Sequence, residues 1–221
     1  PRLGGLGIYA GFLIGYMLFG QHSIQMNAVL IGSFIILVTG IFDDIKPVPA
    51  KYKLLGQIAG AAIIPLYGGI LLKDISAFGL YLNFGVLSYP ITILFIVAII
   101  NCINLIDGLD GLSSGITLIS CISLMIVFTI NESPLLSIIL ITALAGAISG
   151  FLPYNFNPAK TFIGDVGSNF LGFSLAVISI LGVAKTYTAI VIVAPIIVLG
   201  LPIFDTLFAI VRRIKQRKSL K

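Results

Sequence analysis

Apolar runs close to the length of a bilayer crossing recur from one end of this chain to the other. They fall at residues 3–20, 28–42, 54–72, 87–106, 112–130, 135–152, 166–184 and 188–210. The second is short; most of the others approach the roughly 20 residues that a hydrocarbon core requires. A chain that is 58% hydrophobic and only 10% charged fits no soluble domain. The sequence therefore predicts one integral membrane domain over residues 1–221, an all-α polytopic protein with about eight transmembrane helices. Its opening residues, Pro1-Arg-Leu-Gly-Gly5, lack a start methionine and a basic-then-apolar leader, so the chain reads as a piece of a longer protein. Cys102 and Cys121 lie in or beside spans and read as small buried residues, and the lone His22 is given no role.

If the spans alternate sides, one face receives Arg2, Lys46, Lys51, Lys53, Lys160, Arg212, Arg213, Lys215, Arg217, Lys218 and Lys221. The other receives only Lys73 and Lys185. The positive-inside rule makes the first face cytoplasmic. The segment Phe78-Gly-Leu-Tyr-Leu-Asn-Phe-Gly85 alternates and contains glycines, which predicts a short extracytoplasmic hairpin. The acids are more telling than the bases. Asp43, Asp44, Asp107, Asp110, Asp165 and Asp205 all fall on or near the cytoplasmic face, and only Asp74 and Glu132 fall outside. Topology needs Lys and Arg there but not acids. Acids gathered beside bases point to a site for both a metal and an anion.

The centre of this pattern is Asn101-Cys-Ile-Asn-Leu-Ile-Asp-Gly-Leu-Asp-Gly-Leu112, between two apolar runs. Asp107 and Asp110 would share a helical face, and carboxylates about 5 Å apart repel by roughly 3 kcal/mol at an effective dielectric of 20. A hard divalent cation with oxygen ligands would offset that. Asp43-Asp44 closes the second span, where adjacent carboxylates resist double ionisation unless a cation or basic group is near. Lys46, Lys51, Lys53 and Gln57 follow, as phosphate-binding or topology-setting residues. Phe162-Ile-Gly-Asp-Val-Gly-Ser168 opens the seventh span, so Asp165 reads as a metal ligand or, more plainly, as a helix cap. The preceding loop, with Asn155, offers amides and aromatic faces for a base and a sugar. Asp205 lies about 10 Å deep in the last span, below Arg212 and Arg213, and such residues are functional or paired by default.

Taken together and in this order, these motifs closely resemble the polyprenyl-phosphate N-acetylhexosamine-1-phosphate transferases, over nearly the whole chain. Pro1-Arg-Leu-Gly-Gly5 and Asp205-Thr-Leu-Phe-Ala-Ile-Val-Arg-Arg213 look more like the branch using UDP-N-acetylglucosamine than the phospho-N-acetylmuramoyl-pentapeptide branch. The resemblance implies transfer of a sugar 1-phosphate from a UDP-amino sugar to undecaprenyl phosphate, releasing UMP, with Mg²⁺ or Mn²⁺, at the start of wall-polymer synthesis. It implies Asp165 as the main metal ligand and Asp43 and Asp44 as the acidic pair near the lipid phosphate. Asn104, Asp107 and Asp110 match the nucleotide and metal side, with Asp107 and Asp110 also metal ligands. Asn155 and Phe162 match positions at the uridine. Lys53, Asp205, Arg212 and Arg213 complete the expected substrate contacts. The family also has a span before residue 1 and a histidine-rich motif beyond the arginine pair. The expected partners are the lipid carrier, the UDP-sugar and the bilayer; a homodimer is left open, and no nucleic acid is expected. A secondary transporter would carry its acids near the midplane, and a structural subunit would not need them.

The face assignment is checked by labelling. Single cysteines placed at Lys46 and Lys160 should react from the same side of the membrane, and labelling from opposite sides would break the predicted site apart.

Overall fold

The computed structural model describes residues 4–77 and 80–183. Within them the chain forms seven α-helices: α1 (Gly4–Phe19), α2 (Ile24–Ile45), α3 (Ala50–Leu66), α4 (Ser88–Ile106), α5 (Leu112–Ile130), α6 (Leu135–Asn155) and α7 (Gly164–Val183). Five regions are long and apolar enough to cross a membrane: α2, α4 with its leading turn, α5, α6 and α7. The eighth span expected at residues 188–210 lies outside the described residues.

Two expected boundaries need correction. The second span is not short: α2 has 22 residues, about 33 Å at 1.5 Å per residue. The Ser23 hydroxyl caps its start by accepting from the Met26 N–H (3.1 Å), so the helix forms through polar residues that the apolar run excludes. At its other end it continues through Asp43 and Asp44. The third span errs in the opposite direction. α3 begins at Ala50 and ends at Leu66, just after Pro65 and before Gly68-Gly69, so residues 67–72 are apolar without being helical. A hairpin follows, as expected, but begins earlier. Strand β1 (Asp74–Ala77) pairs antiparallel with β2 (Leu80–Asn83), Asp74 opposite Asn83.

Helix α7 is the axis of the bundle. Every residue from 166 to 182 is buried, and the helix packs against α1, α2, α4, α5 and α6. Its buried polar residues, Ser168, Asn169, Ser174 and Ser179, suit a place inside the bundle better than one facing lipid. Phe170 meets Phe12 and Tyr9 edge-on, at centroid distances of 5.4 and 5.1 Å. The outer helices instead expose large apolar side chains such as Ile14, Phe34, Leu94 and Ile126, a surface suited to lipid.

Successive helices run in opposite directions. The ends of α2, α4 and α6 therefore meet the starts of α3, α5 and α7, and Asp43, Asp44, Asp107, Asp110 and Asp165 share one end of the bundle. Asp74 and Glu132 belong to the other end.

Contact between α4 and α7 depends on Gly172, where a Cβ would lie 2.6 Å from Ile100 Cα and 3.1 Å from Ile100 N. Those are backbone atoms and cannot step aside. Gly172→Val should cost about 1–3 kcal/mol through overpacking, read as a lower unfolding temperature in detergent. Gly146→Ala in α6 meets nothing within 4 Å and should be neutral or slightly stabilising. Equal behaviour of the two variants would refute this packing.

Candidate active site at one end of the bundle

The residue before a helix often supplies its own cap, but α7 is preceded by Phe162 and Ile163 and opens on Gly164, none with a capping oxygen in its side chain. Gly164 takes φ +70°, a conformation open to glycine, and turns the chain into the helix. The Gly4 and Gly5 N–H groups of α1 donate to the carbonyls of Phe162 and Ile163 (3.1 and 3.0 Å). The Asp44 carboxylate of α2 accepts from the N–H of Asp165 (2.9 Å) and of Val166 (3.1 Å). The cap of α7 is therefore Asp44, and Asp165, whose plainer reading was a cap, turns its own side chain elsewhere.

Asp165 Oδ1 accepts from Lys53 Nζ at 2.7 Å and from the Asn104 side-chain amide. The Lys53 ammonium also pairs with Asp43 Oδ2 (2.9 Å) and donates to Asn104 Oδ1 (3.3 Å). All three of its protons thus have acceptors from three helices. Asp43 is further held by the Val48 N–H at 2.8 Å. Asn104 donates a second bond to Ser168 Oγ (2.8 Å), whose hydroxyl donates to the Gly164 carbonyl (3.0 Å).

One helical turn deeper lies a second polar layer. Asn101 donates to Gln57 Oε1 (2.7 Å), and Gln57 reaches Asn169 Oδ1 (3.4 Å). Gln57 and Asn169 are each 1% exposed, so these bonds replace water. Sequence reading groups Gln57 with the loop lysines and passes over Asn101, Ser168 and Asn169. The signal was there: each sits three or four residues from a site residue, on the same helical face.

The remaining expected residues surround the same space. Asp107 ends α4 and accepts from Ser113 Oγ at 2.6 Å. Asp110, in the following turn, accepts from the Asn157 side chain and the Ala159 N–H, both at 3.1 Å, and so fastens the loop ahead of α7. Asn155 donates to the Thr161 carbonyl (3.1 Å) and accepts from Ser114. A cavity of about 330 Å³ is lined by Asp44, Asn104, Asp107, Asp110, Asn155, Phe162 and Asp165. Asp43 and Lys53 adjoin it through Asp165. Asp205, Arg212 and Arg213 lie outside the described residues. A larger cavity of about 450 Å³, bordered by His22, Lys73 and Asp74, belongs to the opposite end. Its walls bring together none of the expected site residues.

The donors around the smaller cavity are carboxylates and amides, without thiol or imidazole, the set preferred by a hard divalent cation. Among the described residues no three acids converge into a ready cage. The fit is to an ion that takes one or two carboxylates and completes its shell from phosphate oxygens and water, the usual Mg²⁺ pattern.

A model described as Glycosyl transferase family 4 matches residues 26–183. A probable undecaprenyl-phosphate N-acetylglucosaminyl 1-phosphate transferase of Bacillus subtilis is 44% identical over 223 residues, covering 100% of this chain and 62% of that protein. A decaprenyl-phosphate N-acetylglucosaminephosphotransferase of Mycolicibacterium smegmatis is 32% identical over 254 residues, covering 99% of this chain and 61% of its own length. A phospho-N-acetylmuramoyl-pentapeptide-transferase of Thermotoga neapolitana is 32% identical over 206 residues, covering 90% of this chain and 65% of its own. The chain thus spans less than two thirds of each of these relatives.

Burial raises the Asp107 carboxyl to about 6, with the Asp165 and Asp44 carboxylates adding to the shift and the Ser113 hydroxyl opposing it. Its folded value lies above the ordinary 3.8, so the folded state holds this proton more tightly than the unfolded chain. The contribution of Asp107 to stability is therefore fully present below about pH 4 and declines as pH rises through 6. In metal-free protein, Asp107→Asn should gain stability relative to wild type between pH 4.5 and 7, read from unfolding temperatures. A pH-independent difference would contradict a raised value.

Proposed function

The chain belongs to glycosyl transferase family 4, and on that premise we propose that its site transfers N-acetylglucosamine 1-phosphate from UDP-N-acetylglucosamine to undecaprenyl phosphate. UMP is released, and the product starts a wall polymer. The observation that carries this reading is the single cavity where carboxylates, amides and an exposed aromatic meet beside a triply paired lysine. The name of the 44% identical Bacillus subtilis relative supports the transferred N-acetylglucosamine 1-phosphate and the lipid phosphate. The muramoyl-pentapeptide reaction is the alternative, named by relatives at 32% and 29% identity. A transporter would place its acids near the midplane, whereas five of these share one end of the bundle. That end faces the cytoplasm on the lysine and arginine count.

The reaction brings two anions together, so charge and position dominate. An oxygen of the lipid phosphate attacks the sugar-bearing β-phosphorus. A new phosphoanhydride bond forms, the bond to the α-phosphate breaks, and UMP leaves with that bridging oxygen. A phosphate monoester has its second pKa near 6 and is mostly dianionic at pH 7, so the nucleophile has little need of a base. By motif Asp43 and Asp44 belong near the lipid phosphate, Asp43 through its ion pair with Lys53 and Asp44 through the start of α7. Lys53, its protons shared among Asp43, Asn104 and Asp165, adds its positive charge beside the incoming phosphates. Phe162 is half exposed at the cavity and presents a face to the uracil, with Asn155 beside it. Asp205, Arg212 and Arg213 are assigned to the substrate phosphates by motif alone.

Mg²⁺ or Mn²⁺ would be held by Asp165, with Asp107, Asp110 and Asn104 on the same side, and would neutralise charge gathering on the phosphates. Asp165→Asn in the full-length protein keeps the size and removes the charge. Loss of metal stabilisation worth several kcal/mol corresponds to a rate loss of about a thousandfold. UMP release is the readout, with a Mg²⁺ titration and a check of membrane insertion. Turnover within tenfold of wild type, with unchanged metal dependence, would move the metal to Asp107 and Asp110.

A further inference from the structure

We propose that Asp44 acts as a positioning residue, fixing Asp165 by capping α7 from a different helix. The inference rests on the transferase reading and deepens it. Adjacent acids at the end of α2 look interchangeable in sequence, yet their surroundings differ. Asp43 faces a lysine. Asp44 gives one carboxylate oxygen to the Asp165 N–H and the other to the Val166 N–H, at 2.9 and 3.1 Å. Both oxygens thus accept from the first turn of α7, and Ile163, the residue before that helix, has no side-chain oxygen to cap it. The charge is also favourable there, because the start of a helix is its positive end.

A second observation makes the contact a built one. Gly40 precedes Asp44 by four residues, on the same face of α2. A Cβ at Gly40 would stand 2.6 Å from Val166 Cα and 2.9 Å from Val166 N. The backbone of α2 therefore lies directly against the opening turn of α7, and the carboxylate one turn later reaches that turn's amides. The residue so held is Asp165, whose side chain meets Lys53 and Asn104. Rotation of that turn would move the Asp165 carboxylate out of the cavity. Asp44 acts through the backbone of Asp165, without needing to touch a reacting atom.

The test uses full-length protein in lipid nanodiscs, with Asp44→Asn and Asp44→Ala. Asn keeps one acceptor and protects against the loss of fold that Ala risks. Hydrogen exchange of the peptide covering residues 163–170 reads the cap and needs no substrate. It should speed up roughly tenfold in Ala and less in Asn, as expected for loss of a helix cap. Mn²⁺ affinity, by electron paramagnetic resonance without substrate, reads the effect on Asp165. It should weaken about 10- to 100-fold, as for other groups that orient a metal ligand. The pH profile of the residual turnover should keep its shape.

Unchanged exchange in both variants would overturn the proposal, whatever happens to turnover. Faster exchange with unaltered Mn²⁺ affinity would also overturn it, leaving a purely structural cap. Loss of a limb from the pH profile would make Asp44 an acid–base group instead. If wild type binds Mn²⁺ but releases no UMP from any UDP-sugar, the transferase reading fails while exchange and affinity still decide the role of Asp44.

Discussion

A polar side chain at the rim of an apolar bundle needs neighbours that replace the water it loses. At Asp165 that demand falls on the Lys53 ammonium, 2.7 Å away, and on the Asn104 amide. The lysine in turn needs Asp43, and Asp43 needs the Val48 N–H. Removing any one member of such a chain strands a partly desolvated charge, which is worse than never having had the pair. The candidate site is thus a closed set of dependencies among α2, α3, α4 and α7. The rest of the fold supplies the register in which they meet.

That register is set by α7. Because it is buried from 166 to 182, its neighbours constrain its rotation on every side, and its first turn is held from two directions. The amides of α1 fix the carbonyls just before it, and Asp44 fixes the amides just after. Asp110 holds the preceding loop through Asn157 and Ala159. Rigid support of this kind suits chemistry in which positioning two phosphates is most of the task.

Much of this was legible in the sequence, for a simple reason. In a chain with 10% charged residues an acid stands out, and alternation of spans carries five acids to one end. The ends of α2 and α3 were less legible, because hydropathy measures burial in lipid and not helicity. α2 continues helically through Asp43-Asp44, while the apolar residues after Pro65 leave the helix. The amides were hidden differently. Asn and Ser are unremarkable residues; their spacing from site residues puts them on the right helical faces, but the pairing of α3, α4 and α7 is what joins Gln57, Asn101 and Asn169 into one layer. No local pattern announces that the first-turn amide of Asp165 is capped by Asp44, 121 residues earlier.

The adjacent acids carry this lesson furthest. Two neighbouring carboxylates raise each other's cost of ionisation, so an Asp-Asp pair invites reading as a coupled unit that needs one shared cation. On a helix, however, consecutive side chains diverge by about 100°. At the end of α2 that divergence sends Asp43 to the start of α3 and Asp44 to the start of α7. Each finds its own positive partner, an ammonium for one and the amide end of a helix for the other. The motif is therefore two single acids whose adjacency is a way for one helix end to hold two others. A single acid at either position could serve only one of them, which is a physical reason for both to be present.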